Sequence, residues 1–259
     1  MCVRRCPKAY KNNSRFIDCD LNRAFLNVDI NNHTLCEYEE NRAKVINQLL
    51  GPKSAPKTDF IIDIHTTTSN MGITIILVDD NSFNLKLASY LKTKIKGIFI
   101  FYILPGDIDR PYLASISKYG FALEIGPIPN GVVRDDVLLS AFEVVNLCFE
   151  FIDNSNNGIA EYEDNIELFE YVKTVKFPTN ESGDISAIIH KDIQDKDFTL
   201  LQNGQNIFKK FNGEIIKNKE KSELYPVFIN EAAYYDQKIA FTLTKKKNIK
   251  ISQVSKLND

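Results

Sequence analysis

Short apolar runs alternate with amphipathic stretches along the chain up to about residue 152. The apolar runs are bounded by polar or turn residues and predict β-strands at 60–64, 73–78, 98–104 and 121–125. Apolar residues at helical spacing predict helices at 82–96 and 135–151. Strands that alternate with helices in this way are typical of an α/β fold, in which helices cover the faces of a sheet.

A further helix is predicted before the first strand. Thr34 and Glu37 have the spacing of a capping box, which predicts where this helix begins. Gly51 followed by Pro52 predicts where it ends. His33 is then expected in the loop beside the cap.

The second half of the chain has a different pattern. After a polar stretch at 153–158, short apolar runs are separated by turn signals at 182–184, 203–204 and 212–213. These features predict an α/β domain at 1–157 and a smaller β-rich domain at 158–259.

Composition narrows the class of protein. The 259 residues carry a formal net charge of −2, so no basic surface for nucleic acid is expected. No apolar run is long enough to span a bilayer, and the first residues lack the apolar core of a signal peptide. Five scattered cysteines predict free thiols in a reducing compartment. We therefore expect a cytoplasmic protein that binds a small molecule. Homo-oligomerisation stays open.

Two polar residues at strand ends are candidates for chemistry. His65 follows the first predicted strand, and Asp63 lies on the same face of that strand. The pair is typical of a metal ligand with a supporting carboxylate, although a lone histidine is more often structural. Glu124 interrupts an apolar strand, and a buried carboxylate needs a partner or a function.

Two further clusters carry polar side chains. Arg15, Asn22 and Arg23 lie close together with two aspartates, which suits either a salt-bridged loop or bidentate capture of a carboxylate. Tyr234 follows a predicted strand beside Glu231. Adjacent tyrosines are usually packing residues, so this cluster alone carries little weight.

Five segments together resemble the aspartoacylase family of deacylases, which is related to the zinc carboxypeptidases. They read RFIDCDLNR, DIHTTTSNMG, EIGPIPNGVVR, AIIHKDIQDKD and YPVFINEAAYY, and the resemblance runs from Pro7 to Lys245. It implies a zinc-carboxypeptidase-like mixed sheet with flanking helices and a β-rich C-terminal domain. The implied reaction is hydrolysis of N-acetylaspartate to acetate and aspartate with one zinc ion.

The resemblance also implies roles for individual residues. His65 matches a zinc ligand, and Glu124 matches the general base that activates water and contacts the substrate. Arg15 matches the arginine that polarises the scissile carbonyl. Asn22 and Arg23 match the residues that bind the α-carboxylate, and Tyr234 closes over the same end of the substrate.

The chain departs from the family pattern at the metal site. The family takes its other two zinc ligands from an N-terminal segment with histidine and glutamate three residues apart, and no H-x-x-E occurs here. The resemblance therefore implies that this segment is missing, and we expect the chain as written to bind zinc poorly. A non-catalytic protein that binds carboxylates is the alternative.

A second departure concerns the substrate side chain. Ala114 stands where the animal enzyme has an arginine for the β-carboxylate, and Arg110 stands where it has a tyrosine. Arg110 and Tyr112 are candidates to replace that arginine. Deacylation of other N-acyl amino acids is accordingly an alternative to N-acetylaspartate.

Overall fold

The computed structural model describes residues 6–103 and 108–254. Within these ranges the helices are α1 (Pro7–Lys11), α2 (Asn27–Ile30), α3 (Tyr38–Leu50), α4 (Ser82–Lys94), α5 (Asp135–Asn156) and α6 (Ile251–Val254). The strands are β1 (Phe60–Thr66), β2 (Gly72–Leu77), β3 (Phe99–Tyr102), β4 (Tyr119–Gly126), β5 (Asn165–Lys176), β6 (Ala187–Ile189), β7 (Asn206–Lys210), β8 (Ile215–Lys217), β9 (Tyr225–Val227) and β10 (Ile239–Lys250). The four strands and two helices predicted from the hydrophobic pattern are confirmed, although residue 104 lies outside the described ranges.

Seven of these strands form one mixed sheet in the order β1-β4-β2-β3-β5-β10-β9. β1 pairs with β4 in parallel, and β2 pairs with β4 antiparallel. β5, β9 and β10 come from the second half of the chain, so the sheet continues past residue 158. β6, β7 and β8 form a separate antiparallel sheet. The predicted α/β class with a β-rich C-terminal part is confirmed, whereas the boundary at residue 157 stays a prediction.

The alternation of side chains along β1 separates the core from the polar face of the sheet. Phe60 and Ile62 pack against the cluster formed with α4 and α5. Ile61 points to the other face, where it packs with residues of α3 and the segment before it. Since side chains alternate along a strand, Asp63 and His65 share the face of Ile61, opposite α4 and α5.

The start of α3 corrects the predicted capping box. Glu37 is the N-cap, and its box partner is Glu40, whose carboxylate accepts a hydrogen bond from the Glu37 N–H at 2.9 Å. Thr34 instead donates its hydroxyl to Asn32 at 2.7 Å. Thr34 with Glu37 and Glu37 with Glu40 both have the three-residue spacing of a capping box. The local pattern predicted the first pair, whereas the structure forms the second. The helix ends at Leu50, before Gly51, as predicted.

The described cysteines are free, as the composition predicts. Cys6, Cys19, Cys36 and Cys148 are free cysteines within the described ranges, and Cys2 lies outside them. No helix in the described part of the chain is both long enough and apolar enough to cross a membrane.

A buried carboxyl lies in the C-terminal half of the chain. Asp197 is 8% exposed, and its Oδ1 accepts a hydrogen bond from the Ile229 N–H at 3.0 Å. Burial raises the pKa of Asp197 to about 7, against the opposing effect of nearby backbone N–H groups. The native carboxyl therefore retains its proton at pH values where the unfolded one has lost it.

This shift predicts a pH-dependent stability. The stabilisation from protonated Asp197 is complete below the pKa of the unfolded carboxyl, near 4, and is lost as the pH rises to about 7. The loss is at most about 1.4 kcal/mol per pH unit. Asp197→Asn stays neutral, so its melting temperature should exceed that of the wild type by a margin that grows from pH 4 to pH 7.

Thermal unfolding monitored by circular dichroism across this pH range measures the margin. Asp236→Asn is the matched control, because Asp236 is exposed and lies in the same half of the chain. The control should follow the wild type at every pH. A constant margin for Asp197→Asn would contradict the prediction.

Candidate functional site

One cavity of about 470 Å³ lies at the carboxyl end of β1 on the face opposite α4 and α5. The six residues to which the family resemblance assigns roles all line it: Arg15, Asn22, Arg23, His65, Glu124 and Tyr234. They come from four separate parts of the chain. The register of β1 against β4 places His65 directly beside Glu124.

His65 is oriented by its neighbours at the strand end. Its Nε2 lies 2.8 Å from Oδ2 of Asp63 and 3.4 Å from Nδ2 of Asn22. Its Nδ1 lies 3.9 Å from Oε1 of Glu124. Asp63 is buried, so the Asp63 contact fixes the imidazole orientation, whereas its role in supporting a metal ligand stays a prediction.

The loop of residues 15–23 forms one wall of the cavity. Nη2 of Arg15 donates to Oδ2 of Asp20 at 2.8 Å, and Oδ1 of Asp20 accepts from the Asn22 N–H at 3.0 Å. Burial would raise the pKa of Asp20, but the Arg15 guanidinium holds it below its usual value. The salt-bridged loop that the sequence offered as one alternative therefore itself forms this wall of the cavity.

Contacts with neighbouring residues hold the side chains of Asn22 and Arg23 in place. Oδ1 of Asn22 accepts a hydrogen bond from the Leu113 N–H at 2.8 Å, which leaves its amide nitrogen near His65. Nη1 of Arg23 donates to the Asn22 carbonyl at 2.8 Å, and its guanidinium lies 5.3 Å from the centre of the Tyr112 ring. These contacts limit the rotation of both side chains.

Glu231 connects the end of β1 to the segment that carries Tyr234. Its Oε2 accepts hydrogen bonds from the Thr67 hydroxyl and from the N–H groups of Thr68, at 2.8 Å, and Ser69, at 3.2 Å. Its Oε1 caps the 3-10 turn Ala232–Tyr234. Burial would raise the pKa of Glu231, but these hydrogen bonds lower it. Sequence reasoning gave Glu231 no role. The hydroxyl side chains at 66–69 were the available signal for its hydrogen-bond partners.

Tyr234 lines the cavity from the C-terminal half of the chain. Burial raises the pKa of its hydroxyl well above the ordinary value, and the charge of Glu124 adds to the effect. Its ring makes an edge contact with Phe228. The hydroxyl is therefore a neutral hydrogen-bonding group at physiological pH.

An apolar wall completes the cavity, and the sequence did not indicate it. It consists of Ile76, Val78, Ile103, Ala122 and Phe228. These side chains lie in β2 and β4 or directly after β2, β3 and β9, where the sequence indicated only core. Position along a strand does not distinguish a residue that faces packed core from one that faces a cavity.

The two positions that depart from the family pattern, Arg110 and Ala114, lie in different environments. Ala114 is buried, and Nη1 of Arg110 donates to the Ile108 carbonyl at 2.9 Å. Among the described residues, the cavity lining includes Tyr112 but neither Arg110 nor Ala114. Arg110 as a binder of the substrate side chain therefore stays a prediction, and Tyr112 is the one of the two candidates that lines the cavity.

The donor set at the cavity does not complete a zinc site. A catalytic zinc takes three protein ligands and keeps a position open for water. Within residues 6–103 and 108–254 there is no group of three His, Cys, Asp or Glu side chains that could hold a metal ion. His65 alone is in place as a nitrogen donor, so the described residues do not by themselves fit a resident zinc.

Known proteins share both the sequence and the arrangement. The succinylglutamate desuccinylase/aspartoacylase catalytic domain matches residues 5–152, and the barrel-sandwich hybrid domain of the same family matches residues 164–246. A probable aspartoacylase from Trichodesmium erythraeum is 42% identical over 95% of this chain and 84% of its own length. An N-acyl-aromatic-L-amino acid amidohydrolase from Xenopus tropicalis is 41% identical over 93% of this chain and 79% of its own length.

A solved structure agrees with these matches. Murine aminoacylase 3 superposes with a TM-score of 0.90 at 36% identity, over 96% of this chain and 84% of that one. Agreement in sequence and in fold over nearly the whole chain leaves one assignment. The chain, whose polar site residues line one cavity, is a member of the succinylglutamate desuccinylase/aspartoacylase family of hydrolases.

Proposed function

We propose that this protein hydrolyses the amide bond of an N-acyl amino acid, with N-acetylaspartate as substrate and zinc as cofactor. The observation that carries the proposal is that Arg15, Arg23, Glu124 and His65 line the same cavity. Two cations suit an anionic substrate, and a carboxylate beside a histidine suits the activation of water. The family membership of the chain supports the same reaction class.

Substrate binding is assigned to the 15–23 loop and Tyr234. Arg23 and the Asn22 amide bind the α-carboxylate, because a guanidinium can donate two parallel hydrogen bonds to it. Tyr234 donates its hydroxyl at the same end. The stacking of Arg23 on Tyr112 reduces the ordering cost of this contact.

The chemical step is assigned to Glu124 and Arg15. Glu124 takes a proton from the attacking water as the new C–O bond forms at the scissile carbonyl. Arg15 donates hydrogen bonds to the oxygen that becomes negative, which stabilises the charge where it develops. Glu124 then delivers the proton to the amide nitrogen as the C–N bond breaks, releasing acetate and the amino acid.

Zinc enters the proposal with His65 as one ligand. When bound, the ion supplies Lewis acidity to the carbonyl and water. Two further ligands have to come from outside the residues described above. We expect the chain as written to hold less than stoichiometric zinc, and expect a chain joined to an N-terminal segment with the family's H-x-x-E pair to hold one ion per subunit.

Deacylation of amino acids with uncharged side chains is a second candidate function. The cavity has an apolar wall, and Arg110 is not in its lining among the described residues. The β-carboxylate of a substrate would then have to bind Arg15 or Arg23, which are already assigned to the scissile carbonyl and the α-carboxylate. An aromatic or aliphatic side chain would instead bury apolar surface on that wall.

The experiment compares two substrates on the same protein. N-Acetylaspartate and N-acetylphenylalanine are supplied to the chain as written and to the chain with the added segment, and both zinc content and amino acid release are measured. A higher kcat/KM for N-acetylaspartate supports the first candidate, and the reverse supports the second. A zinc-loaded protein that hydrolyses neither contradicts both, and indicates a non-catalytic carboxylate-binding protein.

A further inference from the structure

Glu39 is a buried carboxylate that the proposed reaction does not use. It lies in the first turn of α3 and is 0% exposed. Its Oε1 accepts the Ile17 N–H at 2.8 Å, and its Oε2 accepts the N–H groups of Asp18 at 3.0 Å and Cys19 at 3.3 Å. The Cys6 thiol donates to Oε1 at 3.2 Å.

These hydrogen bonds decide the charge state of Glu39. Burial would raise the pKa of the carboxyl, but the N–H groups of Ile17 and Asp18 and the Cys6 thiol lower it below the usual value. The ionised carboxylate is therefore stabilised by backbone groups of the loop. Conversely, these N–H groups obtain their acceptor from Glu39.

The three N–H groups belong to the centre of the 15–23 loop. Arg15 precedes them by two residues, and Asp20, which pairs with Arg15, follows directly after Cys19. Asn22 and Arg23 complete the loop. The single carboxylate on α3 therefore fixes the backbone between the residue assigned to the carbonyl and the residues assigned to the α-carboxylate.

The capping box of α3 does not use Glu39. The N-terminal cap of α3 is formed by Glu37 and Glu40, which make both hydrogen bonds of the capping box. Glu39 lies between them on the helix and points to the loop instead. Its contacts therefore serve the loop rather than the helix end.

We propose that Glu39 is a positioning residue that holds the 15–23 loop in the conformation that binds the substrate. This inference rests on the proposed function, since it assumes that Asn22 and Arg23 bind the α-carboxylate. Glu39 does not touch the substrate. It acts through the backbone of Ile17, Asp18 and Cys19.

Glu39→Gln tests the proposal with little change in shape. An amide has one acceptor oxygen, so at least one of the three N–H groups loses its partner. Hydrogen exchange at these amides should become at least about tenfold faster in the chain as written, the effect of a hydrogen bond worth about 1.4 kcal/mol. In the zinc-loaded active protein, KM should rise at least about fivefold, because ground-state binding is lost.

Glu40→Gln is the matched control in the same helical turn. It alters the capping box, and Glu40 has no hydrogen bond to the 15–23 loop among those described. Exchange at the loop amides and KM should equal those of the wild type. If Glu39→Gln does not fold, Glu39→Asp, which keeps the charge on a shorter side chain, is measured in the same way and should change both quantities in the same direction.

The outcomes separate the inference from the proposed function. Faster exchange together with a raised KM supports it. An unchanged KM with turnover reduced only in proportion to the folded fraction would overturn it, as would unchanged exchange at the three amides. If the wild-type protein hydrolyses no N-acyl amino acid, the proposed function fails, and the exchange experiment alone still decides whether Glu39 orders the loop.

Discussion

Glu124→Gln should lower kcat by about 10²–10⁴, the usual contribution of a positioned general base, in any zinc-loaded, active form of this protein. Glutamine keeps the shape of the side chain and cannot accept the proton of the attacking water. Glu124 lies beside His65 in the register of β1 and β4, and it lines the cavity. KM should change little, because the loss concerns the chemical step.

Steady-state kinetics on the purified variant measures this effect. Glu170→Gln is the matched control, since Glu170 is also a buried carboxylate in the large sheet and pairs with Lys245 and Lys247 at 2.8 and 2.7 Å. The control should lose stability and keep its turnover per folded molecule. Near-normal turnover in Glu124→Gln would show that another group is the base.

Arg23→Lys should raise KM by about 10- to 100-fold, although it conserves the charge. Lysine cannot reproduce the two parallel hydrogen bonds to a carboxylate or the planar stacking on Tyr112. The expected loss of about 1–3 kcal/mol is that of a charged hydrogen bond left unmade. We expect kcat to fall less than KM rises, since the contact is present in both ground and transition states.

A surface arginine provides the comparison for Arg23. Arg134 is exposed and pairs with Asp136 at the start of α5, so Arg134→Lys should leave both kinetic constants unchanged. Substrate titrations of both variants give KM directly. If Arg23→Lys and Arg134→Lys behave alike, the α-carboxylate is bound elsewhere.

The strands and helices of the α/β part could be predicted because their signals are local. The apolar run at 60–64 identifies β1 from neighbouring residues alone, and Gly51 marks the end of α3 in the same way. Where two local signals overlap, the pattern has no means of choosing. Thr34 and Glu37 were therefore paired by spacing, whereas Glu37 pairs with Glu40.

The candidate site was predicted residue by residue only through family resemblance. Taken alone, Arg15 and Asn22 suited a salt-bridged loop as well as a carboxylate site. Their meeting with His65 depends on contacts between residues 43 positions apart, such as Asn22 with His65. Glu231 and Thr67 are 164 positions apart and meet only because the C-terminal half joins the same sheet.

The sequence by itself determined which residues form strands, which strand ends carry polar groups and which family the chain resembles. Local hydrophobic periodicity and side-chain chemistry are sufficient for these properties. The tertiary structure alone decided that Glu39 holds the 15–23 loop, that Tyr112 but not Arg110 lines the cavity among the described residues, and that an apolar wall lines the same cavity. These depend on register and on packing between distant segments, because a hydrogen bond or a cavity wall exists only where the fold brings its two sides together.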